Sequence, residues 1–225
     1  AKLEGLLAGI GPTDWIVFPE MALSGFSMDL SKTTWDAEDY TFFQGLARDR
    51  ACQVTVGGVE GGQNIAFAIS PAGEIAARYA KRHLFSFAGE DGRYRPGKDN
   101  AAYRVAGLRV SQAICYDLRF PNHFWGEAGD TQAYCVIAAW GGKRSEHWKT
   151  LLRARAIENQ AFMVGVNRIG EEPTTRYSGD SAIIGPQGET ILDCGGAEGV
   201  FSAQIDAARV DEWRAAFPAI KDRTP

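Results

Sequence analysis

Short apolar runs of strand length alternate with longer amphipathic stretches along this chain, and the apolar period switches between about two and three and a half. Residues 15–18 form an apolar run that stops at Pro19-Glu20, with Ser24-Gly25-Phe26 in the loop beyond. Residues 53–59 and 65–70 predict two more strands, and Pro71-Ala72-Gly73-Glu74 is a turn signal before a fourth at 75–79. That strand runs straight into Lys81-Arg82-His83. Residues 102–105 and 108–114 predict a second hairpin-like pair leading into Cys115, and residues 133–139 a buried strand ending at Trp140-Gly141-Gly142. A strand over 162–166 ends at Asn167-Arg168, and 181–184, 190–192 and 200–205 predict three more between Gly-rich turns. Helical spacing covers 1–10, 34–50, 148–160 and 210–217, and Pro121 suits the first turn of a further helix. Residues 87–100, rich in Gly and charge, predict a long loop of the kind that often carries function.

No linker, repeat or low-complexity segment divides the pattern, so residues 1–225 predict one α/β domain with mixed sheets. Apolar content of 45% and charged content of 23% suit a globular core. With 24 basic against 28 acidic side chains the net charge is -4, and no basic run marks a nucleic-acid surface. No apolar stretch approaches the roughly 20 residues of a membrane span. Cys52, Cys115, Cys135 and Cys194 form no CxxC pair, which suits reduced thiols in a cytoplasm better than a disulfide framework. His83, His123 and His147 form no HxH or HExxH group, so no metal is expected.

Three strand ends carry chemistry: Glu20, Lys81 and Cys115. Open α/β sheets commonly place functional side chains at such ends. Taken singly, Glu20 and Lys81 read as surface charges and Cys115 as an inert core thiol. Taken together they supply a base, a cation and a nucleophile. A free cysteine titrates near pH 8.5, so it needs a neighbouring cation or base to react at neutrality.

The words Phe18-Pro19-Glu20, Tyr79-Ala80-Lys81-Arg82-His83-Leu84-Phe85 and Ile114-Cys115-Tyr116-Asp117-Leu118-Arg119-Phe120-Pro121 resemble the nitrilase, or carbon-nitrogen hydrolase, superfamily. Arg153 to Gln160, Gly179-Asp180-Ser181 and Gly185-Pro186-Gln187-Gly188-Glu189 extend the likeness over nearly the whole chain. Ser24-Gly25-Phe26 and His147-Trp148 refine it toward bacterial omega-amidases of the 2-oxoglutaramate amidase type. The resemblance implies a four-layer α-β-β-α sandwich and a Cys115-Glu20-Lys81 triad working without a cofactor. Glu20 would be the base, its pKa raised beside Phe18 and Phe26. Lys81 and the Tyr116 N–H would face the oxyanion. Glu90, in the Gly-rich loop, is the fourth candidate, positioning substrate or assisting proton transfer.

Tyr116, Trp140, Phe26 and His147 are the candidate substrate contacts. Arg82, His83, Arg119, Arg144 and His147 are the cations that could hold a distal carboxylate; Arg119 is also placed to pair with Asp117. The implied substrate is a small linear omega-amide, such as 2-oxoglutaramate or 2-oxosuccinamate, opened through a thioester to the dicarboxylate and ammonia. A carbamoyl amine, a deaminated peptide, or a non-catalytic binding protein on the same scaffold are the alternatives. A homodimer or higher homo-oligomer is expected. The family's first strand would precede the helix opening at Ala1, and the join at 58–64 is shorter than the family's. The expectation is that residues before Ala1 and near that join have been lost from the numbering.

Overall fold

Strands β1 (Trp15–Val17), β2 (Gln53–Glu60), β3 (Gln63–Ile69) and β4 (Ile75–Ala80) lie side by side in that order. β1 runs parallel to β2 and the other pairs are antiparallel, so β1 and β4 end on the same edge. The computed structural model that shows this describes residues 2–223. The short join at 58–64 closes as a hairpin: Gly61 and Gly62 turn at φ +57 and +75, and the ladder is unbroken from Val54–Ile69 to Glu60–Gln63. Positive φ at both turn positions is what glycine permits and other residues resist.

The second sheet holds β5 (Ala102–Val105), β6 (Leu108–Ile114), β7 (Ala133–Ala138), β8 (Phe162–Asn167), β11 (Ala182–Ile184) and β12 (Thr190–Asp193). β6, β7 and β8 are mutually parallel, and the strands beyond them antiparallel. β9 (Ile169–Glu172) and β10 (Thr175–Ser178) form a separate two-stranded hairpin that the apolar pattern does not predict. The strand expected over 200–205 does not form. Val200 and Phe201 are 50% and 42% exposed, and among the described residues no strand pairs with this segment.

Alternation on β3 explains the stacking. Ile65, Phe67 and Ile69 pack with Phe43 and Ala47 of helix α3 (Ala37–Arg50) and with Leu7 of helix α1 (Lys2–Leu7). Ala66 and Ala68, on the opposite face, join the core of the second sheet. Small side chains there let the sheets approach, and the Tyr103 hydroxyl meets Thr55 Oγ1 across the seam at 2.6 Å. Helix α5 (Ser145–Asn159) covers the far face through Trp148, Leu152 and Ala156, with Val210 of helix α6 (Ala207–Ala216) beside them. The order is helices, sheet, sheet, helices, the layered arrangement expected.

Helix α3 starts where Asp36 caps the N–H groups of Glu38 and Asp39 in a capping box. Helix α5 begins three residues before its apolar periodicity, because its first turn is polar and faces solvent. Two short helices, α2 (Leu30–Thr33) and α4 (Pro121–Trp125), complete the described chain. No helix among the described residues is long and apolar enough to cross a membrane.

Gly57 fixes how the chain leaves β1. The Gly57 N–H donates to Pro19 O and its carbonyl accepts the Ala22 N–H. A Cβ at Gly57 would lie 2.6 Å from Glu20 Cα and Met21 N, both backbone atoms with no room to yield. Gly57→Ala is expected to cost about 1–3 kcal/mol, read as a lower urea midpoint, and to displace Glu20. An unchanged midpoint would contradict this packing.

Candidate active site

Strand ends from both sheets meet at one edge of the seam. Glu20 sits in the turn after β1, Lys81 directly after β4, and Cys115 directly after β6. Ala139 follows β7, and Glu90 opens a short 3-10 turn (Glu90–Gly92) in the loop beyond Lys81. Glu20 and Glu90 are fully buried, Lys81 is 1% exposed and Cys115 8% exposed. The four predicted catalytic side chains therefore form one buried cluster.

The Lys81 ammonium is the hub. It donates to Glu20 Oε1 at 2.9 Å and to Glu90 Oε1 and Oε2 at 3.0 and 2.9 Å. Asn64 Nδ2 donates to the same Glu20 Oε1 at 2.7 Å and to Glu90 Oε1 at 3.0 Å. The Phe85 N–H closes on Glu90 Oε2 at 2.6 Å, and the Ala139 N–H on Glu20 Oε2 at 2.8 Å. Glu90 reaches both Lys81 oxygen-wise and the loop backbone, so it anchors the Gly-rich loop as well as the cation.

Two carboxylates against one ammonium leave a net negative charge beside the thiol. Burial disfavours the Lys81 cation, but Glu20 and Glu90 outweigh it and hold the group protonated. For Cys115, burial first and then Glu20 and Glu90 push the thiol well above its ordinary value. Lys81 and the Ala139 N–H pull the other way and lose. The thiol thus rests protonated. The cation alone does not supply a standing thiolate, and deprotonation has to accompany attack.

Cys115 occupies a left-handed backbone conformation, φ +47, which costs a non-glycine residue of order 1 kcal/mol. Asp117 holds that bend. Its Oδ2 accepts the Tyr79 hydroxyl at 2.7 Å and the Ile114 N–H at 3.0 Å. Its Oδ1 accepts the His83 N–H at 2.9 Å and His83 Nδ1 at 2.7 Å. Burial would raise this carboxyl, but the hydrogen bonds and the His123 ring hold it below the usual range. His83, Asp117 and His123 bring ligand-type atoms within 4.8 Å of one another; the hydrogen bonds make the group a staple between β4 and the bend. Arg155 Nε braces the bend through Leu118 O at 3.1 Å. Cys115 also opens a 3-10 turn (Cys115–Arg119), whose first N–H groups, Tyr116 among them, have no acceptor within the turn.

A cavity of about 240 Å³ opens over Cys115 and Lys81. Phe26, Tyr116 and Trp140 line it, and Lys81 Nζ lies 5.4 Å from the Phe26 ring centre. Trp140 is fixed by its N–H to Asn167 Oδ1 at 2.7 Å and its Nε1 to Arg144 O at 2.8 Å. His147 is not in the wall. It is exposed and, among the described residues, meets Arg119 Nη2, 3.1 Å from its Nδ1, because α5 turns it toward solvent one residue before buried Trp148.

Of the five candidate cations, Arg82 is spent on Asn100 Oδ1 and His83 on Asp117. Arg119 and Arg144 line the cavity and, among the described residues, neither has a carboxylate partner. The Arg119 guanidinium lies 4.7 Å from the Trp140 ring centre, and that of Arg144 5.3 Å from Phe85. Arg119 does not pair with Asp117, whose oxygens are already engaged. Glu172, from the unpredicted β9–β10 hairpin, also faces the cavity, but Arg168 and the Tyr177 hydroxyl answer its charge. Asn64, the Ala139 N–H and Glu172 are the site groups that sequence reasoning missed. Each acts through a contact between elements, and none has a local signature.

Residues 5–215 match the carbon-nitrogen hydrolase family model, and the chain belongs to that family. It is a hydrolase acting on carbon–nitrogen bonds other than peptide bonds. The chain is similar to omega-amidase YafV of Escherichia coli (strain K12), 36% identical over 96% of this chain and 86% of that one. It is also similar to 2-oxoglutaramate amidase of Paenarthrobacter nicotinovorans, 31% identical over 99% and 82% of the two chains. Among solved structures, XC1258 from Xanthomonas campestris, a CN-hydrolase superfamily protein with an arsenic adduct in its active site, superposes with a TM-score of 0.92. It is 33% identical, with 100% of this chain and 89% of that one covered.

Glu20 is one of the causes holding the Cys115 proton on. Glu20→Gln removes that charge, so its thiol is expected to ionise at lower pH than the wild type even as turnover is lost. The thiolate ultraviolet band followed against pH reads the change. A midpoint unmoved or raised would contradict the charge balance described.

Proposed function

We propose that this chain is an omega-amidase, hydrolysing the terminal amide of short 2-oxo dicarboxylic acids such as 2-oxoglutaramate and 2-oxosuccinamate. The observation that carries the reading is a Cys-Glu-Lys-Glu cluster under a small cavity whose wall holds two guanidiniums without carboxylate partners among the described residues. A mono-amide of a dicarboxylate places an amide at one end and an anion at the other. A planar guanidinium suits the anion through paired N–H donors. The similarity to an omega-amidase and a 2-oxoglutaramate amidase points the same way.

In the first half-reaction Cys115 Sγ attacks the amide carbon as its proton passes to Glu20 and the carbonyl π pair moves onto oxygen. The Lys81 ammonium and the Tyr116 N–H meet that oxygen. The C–N bond then breaks, Glu20 returns the proton to nitrogen, and ammonia leaves a thioester. Water attacks the thioester with Glu20 taking its proton, and that proton returns to sulfur as the acid departs. Glu90 keeps Lys81 charged and oriented through both half-reactions. All four cysteines are free, as a reducing cytoplasm requires.

Ammonia release from 2-oxoglutaramate is expected to be selective over simple amides and absent in Cys115→Ala. Arg144→Met and Arg119→Met should each lower kcat/KM about tenfold or more on that substrate, the scale of a lost charge-assisted bond. A neutral amide of the same length should suffer less. Equal loss on both would remove the guanidiniums from the anion site, and turnover of other amides alone would keep the triad and discard the substrate.

A further inference from the structure

Asn64 stands at the junction of the cluster without belonging to it by chemistry. It is fully buried at the start of β3, beside the Gly61-Gly62 turn. Its Nδ2 donates to Glu20 Oε1 and Glu90 Oε1 at 2.7 and 3.0 Å. Its backbone carbonyl accepts the Lys81 N–H at 2.9 Å. Two carboxylates can only accept, so the amide must present its NH2 group to them. Its Oδ1 accordingly has no hydrogen-bond partner among the described residues.

This arrangement makes the two oxygens of Glu20 unequal. Oε1 accepts from both Asn64 and Lys81, which fills its in-plane lone pairs. Oε2 accepts only the Ala139 N–H among the described residues, the same N–H that also reaches the Cys115 sulfur. We infer that Asn64 is a positioning residue that closes Glu20 Oε1 to protons and so assigns Oε2 as the oxygen that exchanges the proton with Cys115. The inference rests on the amidase reading. In the acylation step the S–H bond breaks toward Oε2 as the S–C bond forms, and the same oxygen returns the proton to nitrogen as the C–N bond breaks. Asn64 also ties both carboxylates to one donor beside the ammonium.

The groups facing Glu20 are Lys81, Glu90, the Cys115 thiol, and the phenols of Tyr94 and Tyr177 within electrostatic reach. Both phenols titrate above their ordinary value, burial being the first cause, and stay neutral. Asn64→Asp keeps the shape but turns a shared donor into a third acceptor, so the cluster should retain an extra proton. Asn64→Ala removes the donor and adds no charge.

The test is the pH dependence of Cys115 alkylation by iodoacetamide, which needs no substrate, with the pH profile of kcat/KM beside it. In both variants the acid limb is expected to move to higher pH, by about one unit or more in Asn64→Asp. kcat should fall about tenfold or more while KM changes little, as for misplaced proton transfer. If Asn64→Asp does not fold, Asn64→Ala and Asn64→Ser carry the same readout. Folded variants with a lowered urea midpoint and the wild-type acid limb would reduce Asn64 to a structural residue and overturn the inference. An acid limb in alkylation that moves as expected, with no turnover of any omega-amide by the wild type, would instead refute the substrate reading alone.

Discussion

Lys81 is a cation buried among two carboxylates and a thiol, and the rest of the molecule is arranged to make that burial tolerable. An unpaired ammonium in such a place would lose its proton or unfold the site. Here two carboxylates, an asparagine amide and two backbone N–H groups satisfy the cluster from three directions. Burial first, and then the excess negative charge that results, keep the Cys115 thiol protonated at rest. A thiol held protonated at rest is protected from casual oxidation and alkylation, and in the proposed mechanism the carboxylate that helps hold the proton on is also the base that takes it.

Positioning of these groups comes from the seam between two sheets. β1 and β4 end at one edge of the first sheet, and β6 and β7 end against them from the second. Each functional corner needs a local device. Met21, after Glu20, and Cys115 itself both take positive φ, at +45 and +47. The bend at Cys115 is held by four hydrogen bonds into Asp117, a cost the surrounding structure offsets. Tyr79 and His83 carry that staple back to β4, so the residue beside Lys81 and the turn beneath Cys115 are fastened to each other.

Much of this was legible in the chain. Glu20, Lys81 and Cys115 stood out because each terminates an apolar run, and strand ends are where side chains can converge. Glu90 came from the family resemblance and Phe26, Tyr116 and Trp140 from their places beside strand ends; Glu90 bonds Lys81 and the other three line the cavity. What the pattern hid was contact between elements. Asn64 reads as an ordinary polar residue opening a strand, and the β9–β10 hairpin is too polar to show alternation. Residues 200–205 carried a strand-like pattern, yet strand identity depends on a neighbour to pair with, which no single segment encodes. His147 has the right chemistry for an anion site but the wrong face of its helix. The same physics separates the five basic candidates, since only the fold decides which of them already has a partner.

The central claim is that Cys115 carries the acyl group. Rapid quenching of the enzyme during turnover of 2-oxoglutaramate, followed by intact-mass and peptide mass spectrometry, tests it directly. The account predicts a transient adduct on Cys115 with the mass of the substrate less ammonia, absent in Cys115→Ala. Steady turnover with no such adduct on Cys115, or with the acyl group on another side chain, would contradict it.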